Sequence, residues 1–418
     1  MTSSPTVTPD TRARHLDWLL ALTAIPTAAG REDRVIRWVA NWVAERPGLR
    51  LKRDRAGNLI ITPAPKGVAR LGRVKKPRAT GRARPEPIYI TAHLDHPAFV
   101  VTGVEPGGTL QLEFRGGVHD PYFVGAAIEV FDRADRRHIA AITALDAAAQ
   151  PFKRVTATPR HPARCASVAP GDIARWKLPK PVIRDGLLHT HACDDLAAVA
   201  AALAVLDVTH RAPGFEHVGV LLTRAEEIGF VGAIAACQLG TVSKKSRLIC
   251  LENSRSFAES PIGAGPILRV GDRMSVFEPT LTNRLTDILL EHAKARPDFR
   301  WQRKLMPGGT CEATTFSSYG YRSTCVCLPL GNYHNMRDID GVQAGRRPAR
   351  VGSEFISVSD YHGLIDLLLL GCAQLDSAAI KPMRERMDDL LAKHHAIVGL
   401  PLPGKHTTSS RAGGSSRR

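Results

Sequence analysis

The sequence predicts an α/β protein: a mainly parallel sheet covered by helices on both faces, with a small all-β, barrel-like domain inserted into it. Two observations predict this. From Asp194 onward, short apolar runs alternate with helix-length segments, the pattern of strands buried on both faces by crossover helices. Between residues 98 and 185 the pattern changes to short alternating runs: Phe99 to Val104, Thr109 to Phe114, Ala127 to Phe131 and Ile139 to Leu145. Pro-Gly, Gly-Gly and Asp-Arg turns separate them, as in a small antiparallel barrel or sandwich.

Taken in order, residues 1–11 are rich in Ser, Thr and Pro and are expected to be disordered. Helical periodicity follows in His15–Leu22 and again from Glu32 to Glu45, where Val35, Ile36, Val39 and Val43 form one stripe. Leu59–Thr62 and Ile88–His93 read as strands, and the Pro- and Gly-rich stretch 63–87 between them reads as an insert. After the β insertion, the spacing predicts helix 196–206, strand 218–223, helix 231–238, strand 248–251, helix 282–295, strand 324–328 and a long apolar helix 361–375. A last helix, 383–394, precedes a Ser/Gly/Arg tail. The main domain is thus expected to comprise 12–97 and 186–395, the inserted domain 98–185, and a disordered basic tail 396–418.

The net charge of +17 resembles a nucleic-acid signal until it is located. Residues 66–84 carry Lys66, Arg70, Arg73, Lys75, Lys76, Arg78, Arg82 and Arg84 with no acid, and the tail carries Lys405, Arg411, Arg417 and Arg418 with none. The basicity belongs to two appendages, expected to make at most weak contact with nucleic acid or another polyanion. The eight cysteines are scattered through apolar segments without a CxxC pair, which reads as reduced core thiols of a cytoplasmic protein. No apolar run approaches the length of a membrane span, so no membrane association is expected.

The chemistry is organised around Val218–Ala233, where a buried strand runs into two adjacent carboxylates, Glu226 and Glu227, and then a glycine-punctuated turn. Neighbouring carboxylates repel, and a divalent metal resolves this: one Glu coordinates while the other takes a proton from the water that the metal activates. Taken alone, the pair reads more simply as a solvated loop. Yet strand 88–92 ends at His93-Leu-Asp95, Asp194-Asp195 precede helix 196, strand 248–251 ends at Glu252, and strand 324–328 leads to His334. Carboxyl ends of parallel strands converge on one crevice. Two imidazoles and three carboxylates there suit a pair of divalent ions, with zinc, cobalt or manganese acceptable, and Asp95 is placed to accept the second ring N–H of His93.

These pieces carry a resemblance. Leu19-Leu-Ala-Leu-Thr-Ala-Ile-Pro26 with Gly30-Arg-Glu32, Ala92-His-Leu-Asp95, Cys193-Asp-Asp195, Ala225-Glu-Glu-Ile-Gly229, Pro307-Gly-Gly-Thr310 and Pro329-Leu-Gly-Asn-Tyr-His334 resemble, in that order, the tetrahedral aminopeptidases of the co-catalytic di-zinc exopeptidase clan. That family includes glutamyl aminopeptidase and the misnamed cellulase M. The resemblance implies the zinc exopeptidase fold, with one ion held by Asp194, Glu227 and His334 and the other by Asp194, His93 and Glu252. It implies Glu226 as general base with Asp95 in support, and Gly308, Gly309 and Thr310 at the substrate. It further implies short peptides as substrates and a homo-oligomer, often a dodecamer. His96 after Asp95, Glu252 in place of Asp, and Cys311-Glu312 after Gly-Gly-Thr depart from the family pattern. Glu252 keeps open a carboxypeptidase or N-acyl-amino-acid hydrolase with the same metal core. A metal-free scaffold binding polyanions through its basic arms is the third reading.

Overall fold

Two helices lead the chain. The first, α1 (Pro9–Thr23), starts six residues before the predicted His15, because the Thr8 side chain accepts the Thr11 amide hydrogen and Pro9 suits the first helical position. Helix α2 (Asp33–Ala44) buries the expected stripe, Val35, Ile36, Val39 and Val43, together with Trp42. The computed structural model describes residues 5–65, 85–376 and 381–400. The rest of the expected N-terminal disorder, most of the basic insert 63–87 and most of the tail 396–418 lie outside the described residues.

Strands β1 (Leu49–Arg53), β2 (Leu59–Pro63) and β3 (Ile88–His93) come next. The inserted region contains β4 (Ala98–Val104), β5 (Leu110–Arg115), β6 (Ala127–Phe131), β7 (Arg137–Asp146), β8 (Lys153–Pro159) and β9 (Ile173–Trp176), which close as a barrel in the order β4-β5-β8-β7-β6-β9. Alternation along these strands points Phe99, Phe114 and Trp176 inward with Phe123. Their rings meet edge to face, with centroids 4.8 Å apart for Phe99 and Trp176 and 4.9 Å for Phe114 and Phe123. The two barrel strands absent from the sequence pattern, β8 and β9, are respectively polar and only four residues long. Residues 182–185, assigned to the insertion, instead contribute β10 (Val182–Arg184) to a separate small sheet.

The chain then returns through β11 (Leu187–Thr190), α3 (Leu196–Thr209), β12 (Val218–Thr223), α4 (Val231–Leu239), β13 (Arg247–Arg255) and β14 (Ile267–Asp272). It continues with α5 (Pro279–Ala295), β15 (Gln302–Met306), α6 (Glu312–Ser318), β16 (Arg322–Leu330), α7 (Ile339–Gln343), β17 (Glu354–Ser357) and α8 (Val358–Gln374). The main sheet has eight strands in the order β1-β2-β12-β3-β13-β16-β14-β15. It is mixed: β12, β3, β13 and β16 run parallel at its centre, whereas β1 with β2, β2 with β12 and β14 with β16 pair antiparallel. The central parallel strands are those covered on both faces, by α3 and α8 on one side and α4 and α6 on the other. The small sheet is β10-β11-β17. All eight cysteines are buried and free, as expected of core thiols. A separate unit begins at Ser377 and contains α9 (Met383–His394), the predicted last helix. No helix among the described residues is long and apolar enough to cross a membrane.

Candidate metal centre

The parallel centre of the sheet puts β3, β12, β13 and β16 side by side, and the ionisable residues at or near their carboxyl ends meet; Glu252 lies within β13, which runs past the expected end at Leu251 to Arg255. Donor atoms of His93, Asp194, Asp195 and Glu252 lie within 4.8 Å of one another, and so do those of His93, Glu226 and Glu227 and those of Asp194, Glu227 and His334. Asp194 links the first and the last of these groups. His93 Nε2 is 3.3 Å from Asp194 Oδ1, and His334 Nε2 is 3.4 Å from both Asp194 Oδ2 and Glu227 Oε2. Glu226 Oε2 stands 3.9 Å from His93 Nε2.

Main-chain contacts hold each donor in place. Asp95 Oδ1 and Oδ2 accept the amide hydrogens of Glu226 and Glu227 at 3.0 and 3.1 Å, tying β3 to the Glu-Glu loop. With its carboxylate so occupied, the nearer acceptor for His93 Nδ1 is the Asp95 carbonyl oxygen at 3.2 Å, with Oδ1 at 3.6 Å. His334 Nδ1 donates to Gly117 O at 2.6 Å, which leaves Nε2 unprotonated and facing Asp194 and Glu227. The barrel thus chooses the tautomer of a residue outside it. The Glu-Glu loop is further held by Glu32, a buried carboxylate that pairs with Arg224 and accepts the Ala225 amide hydrogen, and by Asn58, which accepts from Arg224 N and donates to Gly232 O. Gly232 is obligatory, since a Cβ there would lie 2.2 Å from Arg224 O. Asp195 accepts from His93 N and from Asn253 Nδ2.

The electrostatics ask for cations. Burial, and then the neighbouring carboxylates, push Glu226, Glu227 and Glu252 well above the usual carboxylate range. Glu312, which the sequence marks only as a departure from the family pattern, is buried beside them and raised to about 7 by desolvation. Burial disfavours the His93 imidazolium, yet Glu226, Asp195 and Asp194 raise its pKa. Asp194 is held low, against burial, by the His334 and His93 rings beside it. Asp194 Oδ1 and Glu227 Oε1 are buried without a hydrogen-bond partner. A donor set of two imidazoles and a surplus of carboxylates, two of them with uncommitted oxygens, fits divalent ions.

The cleft above these residues has a volume of about 790 Å³. Gly308, Gly309 and Thr310 line it together with Gly117 and Tyr333. Arg255, Arg269 and Arg273 line it as well, and composition gave no sign of that clustering. Arg269 is only 2% exposed, donates to Ser254 Oγ, and has no carboxylate partner among the described residues.

Fold and donor set together define a metal-dependent hydrolase. The chain belongs to the M42 glutamyl aminopeptidase family, whose model matches residues 77–346. It is accordingly a metal-dependent aminopeptidase. No curated protein sequence matches it. Among solved structures, it resembles the Pyrococcus horikoshii TET1 peptidase, which assembles into a tetrahedron or a large octahedral shell (TM-score 0.63, 19% identity, covering 86% of this chain and 99% of that one). An aminopeptidase from the archaeon Desulfurococcus kamchatkensis (0.64, 19%, 89% and 99%) and an endoglucanase from Thermotoga maritima (0.57, 18%, 84% and 96%) share the fold.

Proposed function

We propose that this chain is a dinuclear aminopeptidase that removes N-terminal residues from short peptides, with a preference for acidic ones. Asp194, Glu227 and His334 would hold one ion, and Asp194, His93 and Glu252 the other. The observation that carries this reading is that Asp194 joins the donor group of His93 and Glu252 to that of Glu227 and His334. What a bound pair of ions supplies is Lewis acidity, which polarises a scissile carbonyl and acidifies water.

The remaining chemistry falls to the chain. Glu226, buried and anchored through its amide to Asp95, takes the proton of the attacking water and returns it to the leaving amine. The surplus of carboxylates attracts the α-ammonium of a free N-terminus. Gly308 and Gly309 leave the cleft wall without side chains, so the substrate backbone can approach. A guanidinium withdrawn from water costs several kcal/mol unless paired, and an acidic substrate side chain would pair Arg269. Arg269 equally suits the terminal carboxylate of a carboxypeptidase substrate, the one observation that favours the second reading. Zinc is the expected metal, with cobalt or manganese also suited to these donors. A closed homo-oligomer, as in the TET1 peptidase, would limit access to short peptides.

A mass-spectrometric time course with one mixed-sequence decapeptide, free and N-acetylated, tests the reading. Sequential loss from the free N-terminus, abolished by acetylation and by a chelator, is the expected result. Loss from the C-terminus, or removal of the acetyl group, would replace it with the second reading.

A further inference from the structure

Two ligand loops distant in sequence are joined by one side chain that belongs to neither. Glu354 opens β17, which pairs antiparallel with β11 so that Glu354 lies opposite Thr190, four residues before Asp194. Its neighbour Phe355 bridges Gly331, three residues before His334. Glu354 therefore stands at the corner between the two loops, fully buried. Its Oε2 accepts the amide hydrogens of Cys193 and Asp194 at 2.7 and 3.1 Å, and its Oε1 accepts that of His334 at 2.8 Å. Among the described residues no Lys, Arg or His pairs with it, so its charge faces only main-chain donors.

Both anchored segments need such an anchor. The Asp194 carboxylate is common to the His93/Glu252 and Glu227/His334 donor groups, so a shift of its main chain moves both. Asn332, His334 and Asn335 all have left-handed backbones, with φ of 53°, 54° and 62°. Such a backbone is strained for a residue with a side chain and persists only where its surroundings over-determine it. A carboxylate is the one side chain that offers two acceptor oxygens and no donor. Glutamine keeps the length but turns an N–H toward an amide, and aspartate keeps the charge but is too short to reach both loops.

We infer that Glu354 is a positioning residue that builds the two-ion site by fixing Asp194 and His334 relative to each other. The inference rests on the metal assignment above, and its test reads metal binding separately from peptide cleavage. Metal-free wild type, Glu354→Gln and Glu354→Asp are titrated with Co2+ by isothermal calorimetry, and peptide turnover is followed as Co2+ is raised. Both variants should bind Co2+ about 10- to 100-fold more weakly, the range observed when residues orienting metal ligands are removed. At saturating Co2+ kcat should recover to within a few-fold of wild type, because the reacting groups are intact. Should the glutamine variant fail to fold, as judged by circular dichroism, the aspartate variant makes the same comparison. Wild-type affinity in a folded variant, or lost turnover that excess Co2+ does not restore, overturns the inference alone. Wild type that binds no Co2+ overturns the metal assignment and the inference together.

Discussion

Replacing Glu226 with glutamine separates holding metal from doing chemistry. The substitution keeps the volume of a side chain whose residue is 8% exposed and preserves its main-chain anchor, because Glu226 N donates to Asp95 whatever the side chain. It removes one negative charge from a cluster where Glu312, Asp95 and Asp194 already repel it. The raised pKa of Glu226 then fixes the sign of the stability change. Burial and like charges disfavour its charged form in the metal-free protein, and each tenfold weakening of its ionisation is worth about 1.4 kcal/mol. Metal-free Glu226→Gln should thus be at least as stable as metal-free wild type at pH 7. Catalysis should change oppositely. A general base contributes about 10²- to 10⁴-fold, or about 2.7 to 5.5 kcal/mol of barrier, and glutamine cannot take the proton. The assay is kcat on a peptide with a free N-terminus, alongside metal content by mass spectrometry and thermal unfolding of the metal-free form. Near-normal turnover by a fully loaded variant would refute the general-base role. Loss of metal together with activity would show that Glu226 is a ligand instead.

Chelation should destabilise the protein, since each ion present at 100 times its Kd contributes about 2.7 kcal/mol; a melting temperature unchanged by chelator would count against both ion sites. Arg269→Met should reduce kcat/KM for a peptide with N-terminal Glu by about 10- to 100-fold, the worth of a charge-assisted hydrogen bond, while one with N-terminal Ala changes little; equal losses on both would remove the specificity role. Asp207→Asn probes stability away from the site. Asp207 accepts from Arg46 Nε at 3.0 Å and faces His15 Nε2 at 3.4 Å. Burial opposes its ionisation, but these partners hold its pKa below the usual carboxylate range. A depressed folded pKa stabilises above the unfolded value of about 3.9, and the contribution is lost as pH falls through the folded value. The variant should therefore be about 1–3 kcal/mol less stable at pH 7, and denaturant titrations should show the gap closing below about pH 4.

The candidate ligands were legible because most of them follow a buried strand, and buried strands declare themselves locally as continuous apolar runs between turns. Val218–Thr223 and Leu248–Leu251 needed no partner to be recognised, and the carboxylates and imidazoles after them followed. Strands β1, β14 and β15 left no comparable pattern. Leu49–Arg53 and Gln302–Met306 are edge strands whose outward residues are charged, so they read as solvated surface. The antiparallel flanks of the sheet went unread because strand order depends on long-range pairing.

What the sequence determined by itself is the α/β frame, the barrel inserted in it, and the identity and order of the residues that can bind metal. These depend on hydrophobic period and turn chemistry, which act over a few residues. Only the tertiary structure decided how those residues are held. Gly117 sets the His334 tautomer from the barrel, Glu32 and Asn58 brace the Glu-Glu loop from the other end of the chain, and Glu354 joins the Asp194 and His334 loops. Each acts through main-chain amides or carbonyls, or from a distant element, and neither leaves a local pattern. The same holds for Arg269, whose charge, without a carboxylate partner among the described residues, is invisible until the fold buries it beside the cleft.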